Sequence, residues 1–189
     1  SGAIFNVKVQ QDNFLGKGNN VALELEKSSY KKLLRYRNTN PYFTEDGISK
    51  STSIVISETD VSETSTAAYI SDTFAYGVDY NVPISEDRSY GYGAEIILTE
   101  YTTTIGSPTN VTNFLNEHGD SHFGIMFKAN IVEDTRDRTV YATQGKRQSI
   151  TSNLFIKPDL DYSYTSIKFS GEYNTPYRLS FLDMFDWDT

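Results

Sequence analysis

Apolar side chains recur at every second position along this chain, over runs longer than a globular sheet needs. In residues 89–102, Tyr90, Tyr92, Ala94, Ile96 and Leu98 share one face and Gly91, Gly93, Glu95 and Thr99 the other. Period two places alternate side chains on opposite faces of an extended strand, whereas spacings of three to four, which mark a helix, are almost absent. Eight further segments repeat the pattern: 3–11, 21–27, 31–40, 51–58 and 69–84, then runs centred on Phe127, Leu154 and Phe169. The expectation is an all-β, antiparallel meander of about nine strands in one domain, residues 1–189.

An antiparallel sheet with one apolar face has two resting places. It can pack that face on a second layer, as a soluble all-β binding module would, with residues 104–121 as its recognition loop. It can also turn the face to lipid, in which case about 9 to 11 residues per strand cross a bilayer. Period alone leaves both open. Several strands reach 13 or so residues, against a usual 5 or 6. The chain has 14 Tyr and 11 Phe for one Trp, and tyrosines fall on the apolar parity, as interfacial girdles require. Glu24, Glu26, Arg35, Arg37 and Glu95 fall on the other, which suits a wet interior.

Composition narrows the chemistry. There is no cysteine, so disulfides, thiolate metal sites and thiol nucleophiles are excluded. A net charge of -8 argues against a phosphate-binding surface and against nucleic acid as a partner. The two histidines, His118 and His122, lie near Glu117 and Asp120, a set that could ligate a metal but reads more simply as a polar loop entering a strand. No GxSxG elbow is present, Tyr90 to Gly93 lacks the strand-to-helix context of a phosphate loop, and no motif asks for a cofactor. Nothing in the sequence points to an enzyme.

The connections carry the most specific information. One set, on one side of the sheet, is rich in Gly, Pro and Asp-Gly turn formers: Asp12, Asn13, Phe14, Leu15 and Gly16 in the first, Asn40, Pro41, Tyr42, Phe43, Asp46 and Gly47 in the second, and Asp134, Arg136, Asp137, Arg138 and Gly145 in the last. Pro41 withholds a backbone donor and stops a strand, and Asp46-Gly47 suits a tight reversal. Within 134–138, Arg and Asp are expected to satisfy each other.

Taken in order, "QQDNFLGKGNN", "NTNPYFTEDGIS", "YNVPISEDRSYGYGAEI", "EDTRDRTVYATQGKRQSI" and "LDYSYTSIKFSGEY" strongly resemble the barrel of the bacterial outer-membrane-protein insertases, of the bacterial surface antigen family, from Ala3 to about Pro176. The resemblance implies a 16-stranded transmembrane β-barrel in the outer membrane of a Gram-negative bacterium, with outer-membrane lipid around it. It also implies unfolded outer-membrane proteins as clients, partner lipoproteins held by periplasmic domains, and insertion without ATP at a seam between first and last strands. The chain departs from the family pattern in matching roughly strands 2 to 10 only. Periplasmic domains, closing strands and the Val-Arg-Gly-Phe loop are not matched, so the expectation is part of a C-terminal barrel domain. A secretion or translocation pore of the same superfamily is the neighbouring alternative, although "NPYFTEDG" is characteristic of the insertase branch.

Overall fold

The computed structural model describes residues 3–61, 68–137, 141–160 and 162–174. Among them are strands β1 (Phe5–Gln11), β2 (Asn20–Lys27), β3 (Lys31–Asn40), β4 (Ser49–Asp60), β5 (Tyr69–Pro83), β6 (Arg88–Thr103), β7 (Ser121–Asp134), β8 (Gly145–Lys157) and β9 (Tyr162–Asn174). They form one sheet in chain order, every neighbour antiparallel. The turns β1–β2, β3–β4, β5–β6 and β7–β8 therefore share one end, here the turn end. The remaining connections share the other, the loop end.

Register converts the alternation of each strand into rows that run across the sheet. Leu25, Leu34, Ile56, Phe74, Leu98 and Phe123 are cross-strand partners in succession from β2 to β7. Leu23, Tyr36, Ile54, Tyr76, Ile96, Ile125 and Ile156 form the next row on the same face. The opposite face carries Ala22, Arg37, Ser53, Gly77, Glu95 and Met126. A one-residue slip anywhere would exchange the two faces, so the pattern itself pins the register.

The apolar face has no second layer among the described residues. Among the described residues only Leu33, Ala75 and Phe155 are buried hydrophobic residues, and all three belong to the polar face. Ile56, Phe74, Leu98, Phe127, Ile131 and Phe169 are all exposed. A soluble monomer rarely exposes so continuous an apolar surface, so the reading as a soluble binding module lacks the layer that it requires.

Strands outrun the alternation at several ends. β4 begins at Ser49 and β8 at Gly145, because ladder hydrogen bonds are made by backbone and continue through polar residues. The larger difference is in residues 104–121, read from sequence as a polar loop. They contain a helix, α1 (Thr109–His118), preceded by Pro108 and ended by Gly119, whose N–H donates to the Leu115 carbonyl at 2.8 Å with φ of 82°. Proline at a helix start and glycine just past its end are ordinary stop signals, but the helix is too short to show a convincing period. No described helix is long and apolar enough to cross a membrane.

Candidate functional surfaces of the sheet

The turn end is held by backbone geometry that few residues tolerate. In β1–β2, Asn13 and Leu15 have φ of 52° and 53°, and Gly16 and Gly18 follow at 71° and 74°. The Asn13 side-chain oxygen accepts from the Gly18 N–H at 2.7 Å, and the Phe14 N–H donates to the Asn19 carbonyl at 2.7 Å. The bend leaves Leu15 exposed to solvent. In β3–β4, Asn40 caps the Tyr42 N–H at 3.1 Å, and the Thr44 carbonyl accepts from Gly47, at φ 80°. Pro41 and Asp46 lie inside this turn, Tyr42 stands out at 79% exposure, and Phe43 packs edge-on against Tyr80 with ring centroids 5.9 Å apart.

The β7–β8 turn is built around Arg136. Its Nε and Nη2 donate to the two oxygens of Asp134, each at 2.8 Å, and Nη1 donates to Glu172 on β9 at 3.1 Å. This forked geometry is what guanidinium and carboxylate do best. The side chain is only 8% exposed, and the hydrogen bond to Asp134 is the first cause that holds its guanidinium above the ordinary arginine value. Asp137 closes the same turn by accepting from the Thr143 N–H at 2.9 Å and its hydroxyl at 2.6 Å. Gly145 sits at φ 99°, and a Cβ there would collide with the Thr135 carbonyl oxygen. Arg138 lies outside the described residues. Ion pairs continue sideways from Arg88 to Glu133 at 3.3 Å, from Lys146 to Glu133 at 3.6 Å, and from Arg147 to Asp134 at 3.6 Å. Strands β6 to β9 are thus tied together at this end by charge.

The polar face is wet chemistry in close quarters. Lys128 pairs with Glu95 and lies 3.7 Å from Asp79, and Arg35 pairs with Glu24 at 2.8 Å. Gly93 is required beside this cluster, because a Cβ would run into the Asp79 carboxylate and the Val78 carbonyl.

At the loop end α1 folds over the polar face. Phe114 stacks on His118 with centroids 4.7 Å apart and lies 5.7 Å from His122, whose ring is also 5.8 Å from Tyr101. The two histidines therefore flank a phenyl ring rather than converging, and no group of three potential ligands is assembled among the described residues. His122 is 2% exposed and begins a strand in a packed aromatic cluster.

The apolar face changes height across the sheet. On β5 it runs through Phe74, Tyr76, Val78, Tyr80 and Val82, and on β6 from Leu98 to Tyr90, five same-face positions each. On β1 and β2 it shrinks to three positions each, Phe5, Val7 and Val9 opposite Lys27, Leu25 and Leu23, with Val21 opposite Gln11. On β3 only Leu34 and Tyr36 remain before Asn38, and on β4 only Ile56 and Ile54 before Thr52, so the belt is shortest there. At about 3.3 Å per residue and a strand tilt of about 40°, the belt falls from about 20 Å high at β6 to about 10 Å or less at β1–β3. β1 is paired with β2 alone among the described strands.

Placement of the motif residues at turns was legible from composition. The rows across the faces were not, because register depends on turn length and bend, which a linear pattern does not report. The charged positions Lys27, Lys32, Glu58, Asp72 and Glu100, one row on the apolar face, escaped notice for this reason.

Three comparisons bear on this architecture. The chain is similar to the outer membrane protein assembly factor BamA of Neisseria meningitidis serogroup B, 24% identical over 166 residues, which covers 82% of this chain and 21% of that protein. The chain thus spans about a fifth of the curated relative. Its fold is similar to the crystal structure of BamA from Haemophilus ducreyi lacking POTRA domains 1–3, with a TM-score of 0.68 at 20% identity over 90% of this chain and 35% of that one. The family model for the Omp85 superfamily domain matches residues 13–182. With most of its length matched, and with the open antiparallel meander of a partial β-barrel, the chain belongs to the Omp85 superfamily.

Proposed function

We propose that this chain forms part of the transmembrane barrel of an outer-membrane assembly factor. In this reading it lies in the outer membrane of a Gram-negative bacterium, within a C-terminal barrel domain whose other strands and periplasmic domains belong to a longer protein. It has no catalytic residue; its work is mechanical. Clients are unfolded outer-membrane β-barrel proteins, and partner lipoproteins engage domains beyond this chain.

The observation that carries the reading is the short apolar belt across β1–β4, about half the height of the belt on β5 and β6 or less. A belt about 10 Å high in a hydrocarbon layer about 30 Å thick imposes mismatch, which thins or disorders the lipid beside it. The seam between the first and last strands of the longer protein would offer backbone donors and acceptors to an incoming strand of any sequence. Thin lipid lowers the cost of bringing polar backbone into the membrane, and edge pairing satisfies it once there. Neither step consumes a nucleotide.

The test is reconstitution of the full-length protein that contains this chain into phospholipid vesicles, without nucleotide, followed by addition of a urea-unfolded outer-membrane barrel. Faster acquisition of the heat-resistant folded client is expected, together with a cross-link from a cysteine at Val7. Correct insertion with no acceleration and no cross-link refutes the proposal.

A further inference from the structure

On β3 and β4 the apolar face stops early on the side of the turn end and gives way to four polar side chains. Asn38 lies opposite Thr52 and Asn40 opposite Lys50, directly beyond Tyr36 and Ile54. The flanking positions are apolar or aromatic, with Val21 on β2 and Val78 and Tyr80 on β5. The result is a polar notch, two rows deep, on the face that the barrel reading turns to lipid.

One wall of the notch is aromatic. Tyr80 stacks on Tyr92 with ring centroids 5.4 Å apart, and Phe43 reaches in from the β3–β4 turn to pack edge-on against Tyr80. The half-buried Lys50 places its ammonium 4.9 Å from the centre of the Phe43 ring and 5.8 Å from that of Tyr80. Ring faces attract a cation without neutralising it. Lys50 makes no ion pair among the described residues, and its same-face neighbours Asn38, Asn40, Thr52 and Tyr80 include no carboxylate. The Asn38 side-chain oxygen is buried and has no hydrogen-bond partner among the described residues. Lys50 and Asn38 are diagonal cross-strand neighbours, about 7–8 Å apart at the backbone and within reach of one small group. An uncompensated cation beside an unpaired acceptor selects an occupant that carries both an anion and a hydrogen-bond donor.

Resting on the membrane reading above, we propose that this notch docks the headgroup of an anionic glycerophospholipid of the phosphatidylglycerol kind, from the leaflet at the turn end. Its phosphate accepts from the Lys50 ammonium and the Thr52 hydroxyl, and a headgroup hydroxyl donates to the Asn38 oxygen. An acyl chain then lies along Ile54 and Ile56. A zwitterionic headgroup fits less well, because its ammonium meets the field of Lys50 and finds no carboxylate in the notch. Lys50 is level with Tyr80, one same-face position short of Val82 on β5. A phosphate held there stands inside the height of the neighbouring belt, so the bound lipid draws its leaflet inward beside the short sector.

Photo-cross-linking of the full-length protein that contains this chain, in detergent, tests this with a phosphatidylglycerol bearing a diazirine in its acyl chain. Cross-links are expected at Ile54 and Ile56. One lysine at a membrane surface supports a preference for the anionic lipid of about three- to fivefold. Unlabelled phosphatidylglycerol should therefore compete at a concentration lower by that factor than phosphatidylethanolamine of the same acyl chains. Lys50→Gln should abolish the difference, Lys50→Arg should keep it, and Lys27→Gln at the opposite margin should leave it unchanged. Heat-modifiable migration reports folding of each variant, and Thr52→Val, which should reduce the difference, serves where Lys50→Gln does not fold. Equal competition by the two lipids, a difference that survives in every folded variant, or stronger competition by phosphatidylethanolamine or by lipopolysaccharide overturns the proposal. A folded barrel cross-linked evenly over its apolar face, with neither lipid preferred, removes this site and leaves the membrane reading standing. A protein that takes up no lipid and stays monodisperse in plain buffer removes both.

Discussion

Placing arginine at two positions on the apolar face should cost very different amounts, because the belt is tall on β6 and short on β3. Ala94 lies at the centre of the five-residue belt of β6, four residues from Leu98 and four from Tyr90. At about 3.3 Å per residue and about 40° of tilt it is about 10 Å in depth from either margin. Leu34 is two residues from Lys32 and therefore about 5 Å from the charged row, on a strand whose belt ends at Tyr36. An arginine at bilayer mid-depth costs about 2–4 kcal/mol and near an interface about 0–1 kcal/mol. Ala94→Arg should therefore destabilise the folded, lipid-inserted chain by about 2–4 kcal/mol. Leu34→Arg, measured against Leu34→Ala to remove the lost leucine, should cost about 1 kcal/mol or less. Both side chains are exposed, so neither substitution disturbs a packed core. Equilibrium unfolding in urea from vesicles of one lipid, read by tryptophan fluorescence and heat-modifiable migration, measures both on one scale. Equal costs at the two positions, or a larger cost at Leu34, would refute the depth assignment and the difference in belt height with it.

Further expectations concern the turns and the helix. Gly145→Ala forces a Cβ against the Thr135 carbonyl at a positive φ and should destabilise by about 1–3 kcal/mol, visible as a lower urea midpoint. Leu15→Gly should stabilise by about 1 kcal/mol, because leucine at φ 53° carries strain that glycine does not; an unchanged or lowered midpoint counts against that strain. Phe114→Ala removes the ring that joins α1 to His118 and His122, so amide exchange in residues 109–118 should rise by about tenfold while strand amides keep their protection, at roughly 1–1.5 kcal/mol for such ring contacts. Unchanged exchange would mean that α1 is held by something other than this ring.

Strand existence was legible because each strand repeats one simple rule. Tyr90 to Leu98 alternate so regularly that face and period are evident without a fold, and Asp46-Gly47 and Gly145 mark reversals that the backbone then makes at positive φ. The choice between core and lipid was not legible, since a hydrophobic row facing either looks the same in one dimension. It became decidable when Ile56, Phe74 and Leu98 proved uncovered. α1 was hidden because its ten residues are mostly polar and its apolar set, Val111, Phe114 and Leu115, covers little more than one turn. Arg136 was foreseen as a partner of Asp134, but its third bond, to Glu172, spans 36 positions in sequence and depends on the β8–β9 register. The sign-sorted row from Lys27 to Glu100 needs four successive registers at once, which no local pattern contains.

In the proposed arrangement one parity of this sheet faces lipid, in a belt that is tall on β6 and short across β1–β4. The chain has no cysteine, so single cysteines can be placed without background. Spin labels at successive positions along β6 and along β1–β3, in vesicles, report depth from the ratio of oxygen to nickel accessibility. Lipid exposure is expected at Tyr90, Tyr92, Ala94, Ile96 and Leu98 but not at Gly91, Gly93 or Glu95, with a span of about 20 Å on β6 and about 10 Å or less on β1–β3. Loss of the alternation, or belts of equal height on β6 and β1, would contradict it.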